Sequence, residues 1–219
     1  MNKISYTDFN WLAFSINNAA FRSTIKLIKG CVIDLGCGTS QYKNDILKIS
    51  EDYIGVDWKN SLHDQSNVDV FADLCKTLPF DDHVSDTVTS FQVLEHIPEP
   101  AFFLSECFRI LKPEGYLILT VPFMWHVHEQ PHDYFRYTRY GLKYLLEKTG
   151  FKNIEVIENT GFWQMWVLKF NYQTNNMAIG QLKYLFMPFW FILQLIGPIL
   201  DKINFNPHET ASYLAIARK

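Results

Sequence analysis

Residues 31–40 read Cys-Val-Ile-Asp-Leu-Gly-Cys-Gly-Thr-Ser, and this stretch predicts the fold of the chain. The apolar run from Cys31 to Leu35 has the length and branching of a strand that is buried on both faces. Gly36 and Gly38 end the run, because glycine allows a tight turn and a close approach of the backbone to a ligand. A helical pattern follows, and its candidate N-caps and apolar face are Thr39, Ser40, Tyr42, Ile46 and Ile49. Strand, turn and helix predict the first unit of an α/β sheet, in which ligands bind beyond the carboxyl ends of the strands.

The glycine spacing argues against a phosphate-binding turn. A dinucleotide fingerprint needs a third glycine where this chain has Gln41, which disfavours an NAD-dependent enzyme, and the Gly-Lys-Ser/Thr of a P-loop is absent. Asp34, Gly36 and Gly38 instead resemble motif I of the class I S-adenosylmethionine (SAM)-dependent methyltransferases, of the kind called methyltransferase type 11. Ser40 replaces the last glycine of that motif.

Length and composition limit the other function classes. A chain of 219 residues is long enough for one domain with an elaborate insertion. We expect a single methyltransferase domain over 1–219, with a helical cover over 1–29 and a hydrophobic insertion or lid over 162–209. The net charge of -3 disfavours nucleic acid as a partner. The spacing of the four cysteines indicates reduced thiols, and the N-terminus lacks a signal-peptide pattern, so we expect a cytoplasmic protein.

Later landmarks of the family follow in order. Further strands are predicted at 53–57, 68–71, 86–91, 116–121, 154–157 and 212–217. A helix is expected from Arg139 to Lys148, with Thr138 as its N-cap and Gly150 just past its end. The resemblance implies a Rossmann-like, mostly parallel α/β sheet of seven strands with flanking helices, an antiparallel strand seven and a hydrophobic helical insertion between strands six and seven.

The cofactor residues are predicted partly from spacing and partly from the resemblance. Asp57 ends the second strand about twenty residues past the glycines, where an acid accepts hydrogen bonds from ribose hydroxyls. The resemblance assigns the adenine amino group to Asp73 and the adjoining backbone of Leu74. The residues predicted to bind SAM are Asp34, Gly36, Cys37, Gly38, Asp57, Trp58, Asp73, Leu74 and Gln92.

The segment after strand five, residues 122–139, carries more histidine, acid and arginine than a connector needs. We predict that one histidine is a general base, with His128 or His132 ahead of His126, and that Asp133 or Glu129 orients its ring. The arginines suit a carboxylate or phosphate on the acceptor. The predicted substrate-binding residues are His96, Arg136, Arg139 and Trp163, and the Glu95-His96 pair is given a secondary role. The histidines also have metal-ligand spacing, but no metal is assigned.

The insertion contains the uncharged run from Tyr184 to Leu200. This run is shorter than the ~20 residues of a bilayer span, we expect prolines and glycine to break it, and helical amphipathicity is missing. Three alternatives stay open: a lid or homodimer face, an interfacial segment at the membrane surface, and a true span. We expect the insertion to overhang the acceptor pocket, because it connects strands that meet at the cofactor edge.

These features favour an O-methyltransferase that acts on a sugar of a glycan or of a lipid-linked saccharide, as in surface-polysaccharide synthesis, and that is cytoplasmic or peripheral at the inner membrane face. With its histidine-rich loop and hydrophobic insertion, this chain resembles the methyltransferases that modify sugars of lipid-carried glycans. A quinone-type or other apolar small acceptor is the main alternative, since quinone-pathway methyltransferases share the Leu-Glu-His landmark. A non-catalytic membrane-associated scaffold is the alternative of another class: Ser40 favours it, and the aspartates Asp34, Asp57 and Asp73 oppose it.

Overall fold

The computed structural model describes residues 5–60, 64–178 and 180–219. Residues 1–4 of the predicted N-terminal cover and residue 179 of the predicted insertion lie outside the described residues, as do residues 61–63. The helices are α1 (Trp11–Thr24), α2 (Lys43–Ile46), α3 (Pro100–Ile110), α4 (Arg139–Thr149), α5 (Phe162–Met177) and α6 (Leu182–Ile203). The strands are β1 (Cys31–Leu35), β2 (Asp52–Asp57), β3 (Val70–Phe71), β4 (Ser85–Phe91), β5 (Leu111–Pro122), β6 (Lys152–Glu158) and β7 (Ser212–Arg218).

The seven strands form one sheet in the order β3-β2-β1-β4-β5-β7-β6. β1 lies near the middle and pairs in parallel with β2 and with β4, which explains why it is almost wholly buried. β7 is antiparallel, as Glu114 and Lys219 illustrate: the Glu114 N–H donates to the Lys219 carbonyl, and the Lys219 N–H donates to that of Gly115. The predicted sheet, its antiparallel last strand and its flanking helices are confirmed.

Two local predictions around the sheet differ from the structure. The helix after the glycine turn is only the short α2, and its N-cap position is Tyr42 rather than Thr39 or Ser40. Ser40 has φ 54°, in the left-handed region, and lies two residues before Tyr42, so this serine belongs to the glycine turn and does not cap the helix. By contrast α4 begins as predicted and ends one residue later than predicted, at Thr149: the Thr138 side chain accepts the Gly141 N–H, and Gly150 is left-handed.

The described residues form two compact units. The sheet unit takes in 23–122, 127–157 and 213–219, and the helical unit takes in residues up to 22, 123–126 and 158–212. The helical unit has its own apolar core, in which Leu12 and Ile16 of α1 pack with Met165, Val167 and Leu168 of α5. The predicted helical insertion between the last two strands in sequence is confirmed as α5 and α6.

α6 is a continuous helix of 22 residues, so the prediction that Pro188 and Pro198 break the run is wrong. A proline removes one backbone hydrogen bond from a helix, and here buried anchors on one face hold the helix together. Those anchors are Trp190, Gln194, Gly197 and Asp201, which recur at helical spacing. The helix is therefore amphipathic in an inverted sense, with polar groups inside the helical unit. By length and composition alone it could cross a membrane.

The outward side of α6 is apolar. Its large exposed apolar side chains are Leu182, Tyr184, Leu185, Phe189, Phe191, Ile192, Leu195, Ile196, Ile199 and Ile203. The inward polar groups are satisfied within the unit: the Gln194 amide accepts the Leu12 N–H and donates to the carbonyls of Tyr6 and Asp8. Burying polar groups while exposing apolar ones is the reverse of what a water-facing helix does.

Candidate functional site

The glycine turn is fixed by the carboxylate that ends the neighbouring strand. Oδ2 of Asp57 accepts the N–H of Gly38 over 2.9 Å, and Oδ1 accepts the N–H of Trp58 over 2.6 Å. Gly36 has φ 75° and Gly38 has φ 53°, conformations that glycine adopts without strain. The turn after β1 and the end of β2 therefore form one rigid edge at the carboxyl ends of the strands.

Asp34, in β1, lies next to that edge and connects β1 to β2 and β4 through its carboxylate. Its carboxylate accepts the Tyr53 hydroxyl of β2 over 2.7 Å and the Thr89 hydroxyl of β4 over 2.8 Å. Burial raises the pKa of Asp34 to about 6, although both hydrogen bonds lower it. The structure thus gives this carboxylate a direct role in holding the strands around the turn, and its predicted contact with SAM stays a prediction.

The exposed groups along this edge suit a nucleoside without phosphates. The Trp58 indole is 40% exposed, and the carboxylate of Asp73 is partly exposed beyond β3. Hydrogen bonds from the Cys75 N–H and from Lys76 lower the pKa of Asp73, so it is an anionic acceptor at neutral pH. Carboxylates accept hydrogen bonds from ribose hydroxyls and an adenine amino group, and the turn 36–40 contains no lysine or arginine for a phosphate. The donor and acceptor set fits SAM.

The other predicted cofactor residues line the same strand ends. Leu74 is buried, and burial raises the pKa of the Cys37 thiol to about 12, so this thiol stays protonated at neutral pH. Gln92 follows β4 with φ 57°, and its amide donates to the Thr120 hydroxyl over 3.0 Å. A non-glycine residue in this conformation is held by its surroundings, and such positions cluster at functional sites.

The histidine-rich loop docks on the short helical turn that follows β4. The carbonyl of Glu95 accepts the N–H of Tyr134 over 2.9 Å and that of Phe135 over 3.3 Å. The Tyr137 hydroxyl donates to the Leu94 carbonyl over 3.2 Å. Backbone contacts therefore bring the Glu95-His96 pair and residues 127–138 together within the sheet unit.

Asp133 organises the loop from inside. Its carboxylate accepts a two-pronged pair of hydrogen bonds from Arg136, at 2.6 and 2.7 Å, and also the His128 N–H over 2.9 Å. Burial alone would raise the pKa of Asp133, but the hydrogen bonds from Arg136 and His128 and the neighbouring positive charge lower it to about 2. The His128 ring lies alongside, with Nδ1 3.3 Å from Oδ2 of Asp133. His128 is thus the loop histidine that lies next to Asp133, and its role as a general base stays a prediction.

Glu95 is the unusual group in this cluster. Its side chain is fully buried, and neither carboxylate oxygen has a hydrogen-bond partner among the residues that the structure describes. Two imidazole nitrogens face it, Nε2 of His96 at 3.7 Å and Nε2 of His128 at 3.9 Å. Burial raises the pKa of Glu95 to about 8. A buried carboxyl without partners is costly and calls for an explanation.

His132 connects this loop to the cofactor edge. Its ring lies edge-on to the indole of Trp58, with the ring centroids 5.3 Å apart. Nδ1 of His132 is 3.2 Å from the Tyr134 hydroxyl. Since Trp58 directly follows Asp57, this contact places an exposed imidazole beside the predicted ribose site.

Four of the predicted residues contact other groups of the protein. His126 packs in the helical unit against Trp125 and Tyr172. Trp163 is also in that unit, where its N–H donates to Asp201. Arg139 donates to the Val156 carbonyl of β6 over 3.3 Å. The Arg136 guanidinium donates two hydrogen bonds to the Asp133 carboxylate. Their assignments to substrate or catalysis stay predictions.

Sequence reasoning gave Glu95 only a secondary role and gave Tyr134 none. The available signal was an acid inside the apolar context Val93-Leu94-Glu95-His96-Ile97 directly after a buried strand. An acid in that position is either capping a turn or buried for a purpose, and the two cases differ only in the tertiary contacts of the loop.

Comparison with known proteins agrees with this site. Residues 33–119 match the family model described as "Methyltransferase domain". The chain is similar to a probable SAM-dependent methyltransferase of Mycolicibacterium smegmatis, with 33% identity over 96 residues that cover 42% of this chain and 37% of that protein. It is also similar to a ubiquinone biosynthesis O-methyltransferase of Coxiella burnetii, with 29% identity over 98 residues, 41% of this chain and 42% of that protein.

A crystal structure of a SAM-dependent methyltransferase from Archaeoglobus fulgidus has the same fold, with a TM-score of 0.63 at 19% identity over 95% of this chain and 94% of that one. The matched part of the chain spans well under half the length of the curated relatives. The match runs from β1 through most of β5, and thus includes the glycine turn, Asp57 and the Glu95-His96 pair. The chain therefore has the fold of a SAM-dependent methyltransferase, and residues 33–119 are similar to a methyltransferase domain.

Proposed function

We propose that this protein is a SAM-dependent O-methyltransferase that methylates a sugar hydroxyl of a glycan or of a lipid-linked saccharide. The observation that carries the proposal is the contact between His132 and Trp58, whose ring centroids are 5.3 Å apart. Methylation of a hydroxyl needs a base close to the methyl donor, and this contact supports an imidazole at the cofactor edge.

SAM supplies a methyl group on a sulfonium, a leaving group that is already activated. Transfer of that methyl group from sulfur to the acceptor oxygen would leave S-adenosylhomocysteine and would require a residue of the protein to remove the hydroxyl proton. His132 takes that proton. Nδ1 of His132 is 3.2 Å from the Tyr134 oxygen, and in the tautomer whose Nδ1–H donates to that oxygen, Nε2 carries the lone pair that accepts the proton. Asp57 would hold the ribose, and Asp73 would hold the adenine amino group.

Enzyme activity is tested with purified protein and SAM labelled in its methyl group. The acceptors are a lipid-linked saccharide fraction, a free polysaccharide fraction and a polyprenyl quinol with adjacent hydroxyls. We expect label in a saccharide fraction. His132→Ala should lower kcat by about 100-fold while S-adenosylhomocysteine affinity stays within about twofold, because a general base contributes to turnover and not to cofactor binding. His208→Ala, an exposed histidine of the helical unit, is the matched control.

Label found only in the quinol would instead support the second candidate, a quinone-type acceptor. The likeness to the Coxiella burnetii ubiquinone biosynthesis O-methyltransferase favours that candidate. If the protein binds no S-adenosylhomocysteine, the result would support the alternative of a non-catalytic, membrane-associated scaffold.

We further propose that the protein lies at the cytoplasmic face of a membrane through the outward face of α6. Polar anchors on the inner side and aliphatic or aromatic groups on the outer side match an apolar surrounding medium. Such an arrangement would present a lipid-linked acceptor to the enzyme.

Vesicle flotation tests this placement. Wild-type protein should float with anionic phospholipid vesicles, and Ile192→Glu combined with Ile196→Glu should abolish flotation. Tyr144→Glu, at an exposed aromatic of α4, is the matched control. If the wild type does not float and sedimentation instead shows a homodimer that the double variant dissociates, the face is a dimer interface and the membrane proposal fails.

A further inference from the structure

The cluster formed by Glu95, His96 and His128 has the composition and spacing of a metal site. One ligand atom from each of the three residues lies within 4.8 Å of those of the other two. Oε1 of Glu95 is 3.7 Å from Nε2 of His96 and 3.9 Å from Nε2 of His128. Ligands of a tetrahedral zinc ion with bonds near 2.0–2.1 Å are about 3.3 Å apart, so a small contraction would bring these atoms to bonding distance.

The hydrogen bonds of the two histidines suit metal binding. Nδ1 of His96 is 2.5 Å from the carbonyl oxygen of His132, which can only accept, so Nδ1 carries the proton and Nε2 of the neutral ring carries a lone pair. Nδ1 of His128 is 3.3 Å from Oδ2 of Asp133. Nδ1 of His128 is also 3.3 Å from Nη2 of Arg136, which can only donate, so Nε2 of His128 is free to bind a metal in the tautomer whose Nδ1–H turns to Asp133 instead. Metal-binding histidines almost always have such an acceptor behind them.

The state of Glu95 provides an independent observation. The side chain of Glu95 is fully buried, and its oxygens have no hydrogen-bond partner within the described ranges, which in a folded protein calls for an explanation. A divalent cation between Glu95 and the two imidazoles would satisfy it. Glu129, with Oε2 3.8 Å from Nε2 of His96, lies at the same place and is partly exposed.

We propose that Glu95, His96 and His128 bind a first-row divalent cation, with Glu129 or an acceptor hydroxyl completing the coordination. Two imidazoles and a carboxylate favour Zn²⁺ and its neighbours, whereas Mg²⁺ and Ca²⁺ prefer oxygen ligands. Three protein ligands leave an open position, as in catalytic zinc sites. The proposal concerns metal binding, and rests on the proposed function only for the acceptor as the fourth ligand.

The test uses the full chain after treatment with a chelator. Titration calorimetry with Zn²⁺ should show about one equivalent bound, and Co²⁺ should give the visible absorption of a tetrahedral or five-coordinate site. Thermal unfolding should shift upward on addition of Zn²⁺ and stay unchanged with Mg²⁺. Wild-type protein that binds no stoichiometric Zn²⁺ or Co²⁺ overturns the proposal.

Variants locate the ion. Glu95→Gln and His128→Gln should each lower Zn²⁺ affinity by at least about 100-fold, and Asp133→Asn by about 10-fold to 100-fold through the ring it orients. Glu99→Gln and His208→Gln are matched exposed controls and should bind as the wild type does. Undiminished binding in the combined Glu95→Gln and His128→Gln variant contradicts the site.

Folding of the variants is checked by the same thermal scans. Because the Glu95 carboxyl accepts no hydrogen bond from the residues that the structure describes, Glu95→Gln should unfold at or above the wild-type temperature and lose the upward shift with Zn²⁺. His132→Gln separates this proposal from the proposed function: its carbonyl still accepts from His96, so it should bind Zn²⁺ normally while losing methyl transfer. Metal binding can therefore fail or succeed independently of the methyltransferase activity.

Discussion

The N–H of Gly38 donates to Oδ2 of Asp57 over 2.9 Å, which joins the turn after β1 to the end of β2. The same carboxylate accepts the N–H of Trp58 through its other oxygen. Asp57 therefore shapes the turn as well as offering acceptors to a ribose. Its removal should affect cofactor binding more strongly than the loss of one ligand contact would.

We expect Asp57→Ala to weaken S-adenosylhomocysteine binding by at least about 100-fold, since hydrogen bonds to a charged group are worth about 1.5–3 kcal/mol each. The S-adenosylhomocysteine affinity of Asp57→Asn should lie between those of the wild type and Asp57→Ala. The measurement is titration calorimetry at neutral pH. Asp52→Ala is the matched control, because Asp52 starts the same strand and also accepts the next N–H in the chain, that of Tyr53. Tight binding in Asp57→Ala would show that the ribose is held elsewhere.

Gly36→Ala should destabilise the sheet unit by about 3 kcal/mol. The residue has φ 75°, and an added Cβ would overlap with the side chain of Val93, so backbone strain and overpacking add together. Urea unfolding measures the loss. In a double-mutant cycle, Val93→Ala should relieve the overlap and leave the strain, with a coupling of about 1–2 kcal/mol.

Gly141→Ala is the comparison variant for this cycle. Gly141 lies in the first turn of α4, and its added Cβ would make only an ordinary contact with Thr138, so we expect stability unchanged or raised by up to about 1 kcal/mol. Additive free energies for Gly36→Ala and Val93→Ala would rule out the steric explanation.

The sheet could be predicted from sequence because its signals are local and repeated. Buried parallel strands such as β1 are continuous apolar runs, and left-handed glycines such as Gly36 and Gly150 mark where elements end. The cofactor edge follows from this pattern, since Asp57 must lie beside the glycine turn once β1 and β2 pair in parallel.

The catalytic side of the site depends on tertiary contacts that leave no pattern in the sequence. The burial of Glu95 results from the docking of the loop through Tyr134 and Phe135, which are nearly 40 residues away in sequence. Likewise α6 passes through two prolines because Gln194 and Asp201 anchor it to distant backbone. Local propensity predicts a break there, and tertiary anchoring outweighs it.

The stability of the protein should depend on pH through Asp34. Its pKa is 3.8 in the unfolded chain, and burial raises the pKa in the folded state to about 6. Between these values the unfolded chain has released the proton while the folded protein still holds it. The free energy of unfolding should therefore fall by about 3 kcal/mol as pH rises from about 4 to about 6, and stay at that reduced level above.

Asp34→Asn removes this titration while keeping groups that can bond the Tyr53 and Thr89 hydroxyls. Urea unfolding at several pH values compares the two proteins, so that all other titrating groups cancel in the difference. The difference should change across pH 4 to 6 in favour of the variant. Parallel curves for the two proteins would mean that Asp34 is ionised with an ordinary pKa in the folded state.

Asp201 should be the main anchor within the helical unit. Its carboxylate accepts the N–H groups of Gly161, Trp163 and Gln164, which are donors at the first turn of α5 that have no partner inside that helix. We expect Asp201→Ala to cost about 2–4 kcal/mol, because several backbone donors lose a charged acceptor in a buried place. Lys202→Ala, at the exposed neighbour, should change stability by less than about 0.5 kcal/mol. Hydrogen exchange resolves the mechanism: the amides of Gly161, Trp163 and Gln164 should lose protection first in Asp201→Ala. Protection retained at these three amides would mean that the start of α5 is held by packing rather than by the carboxylate.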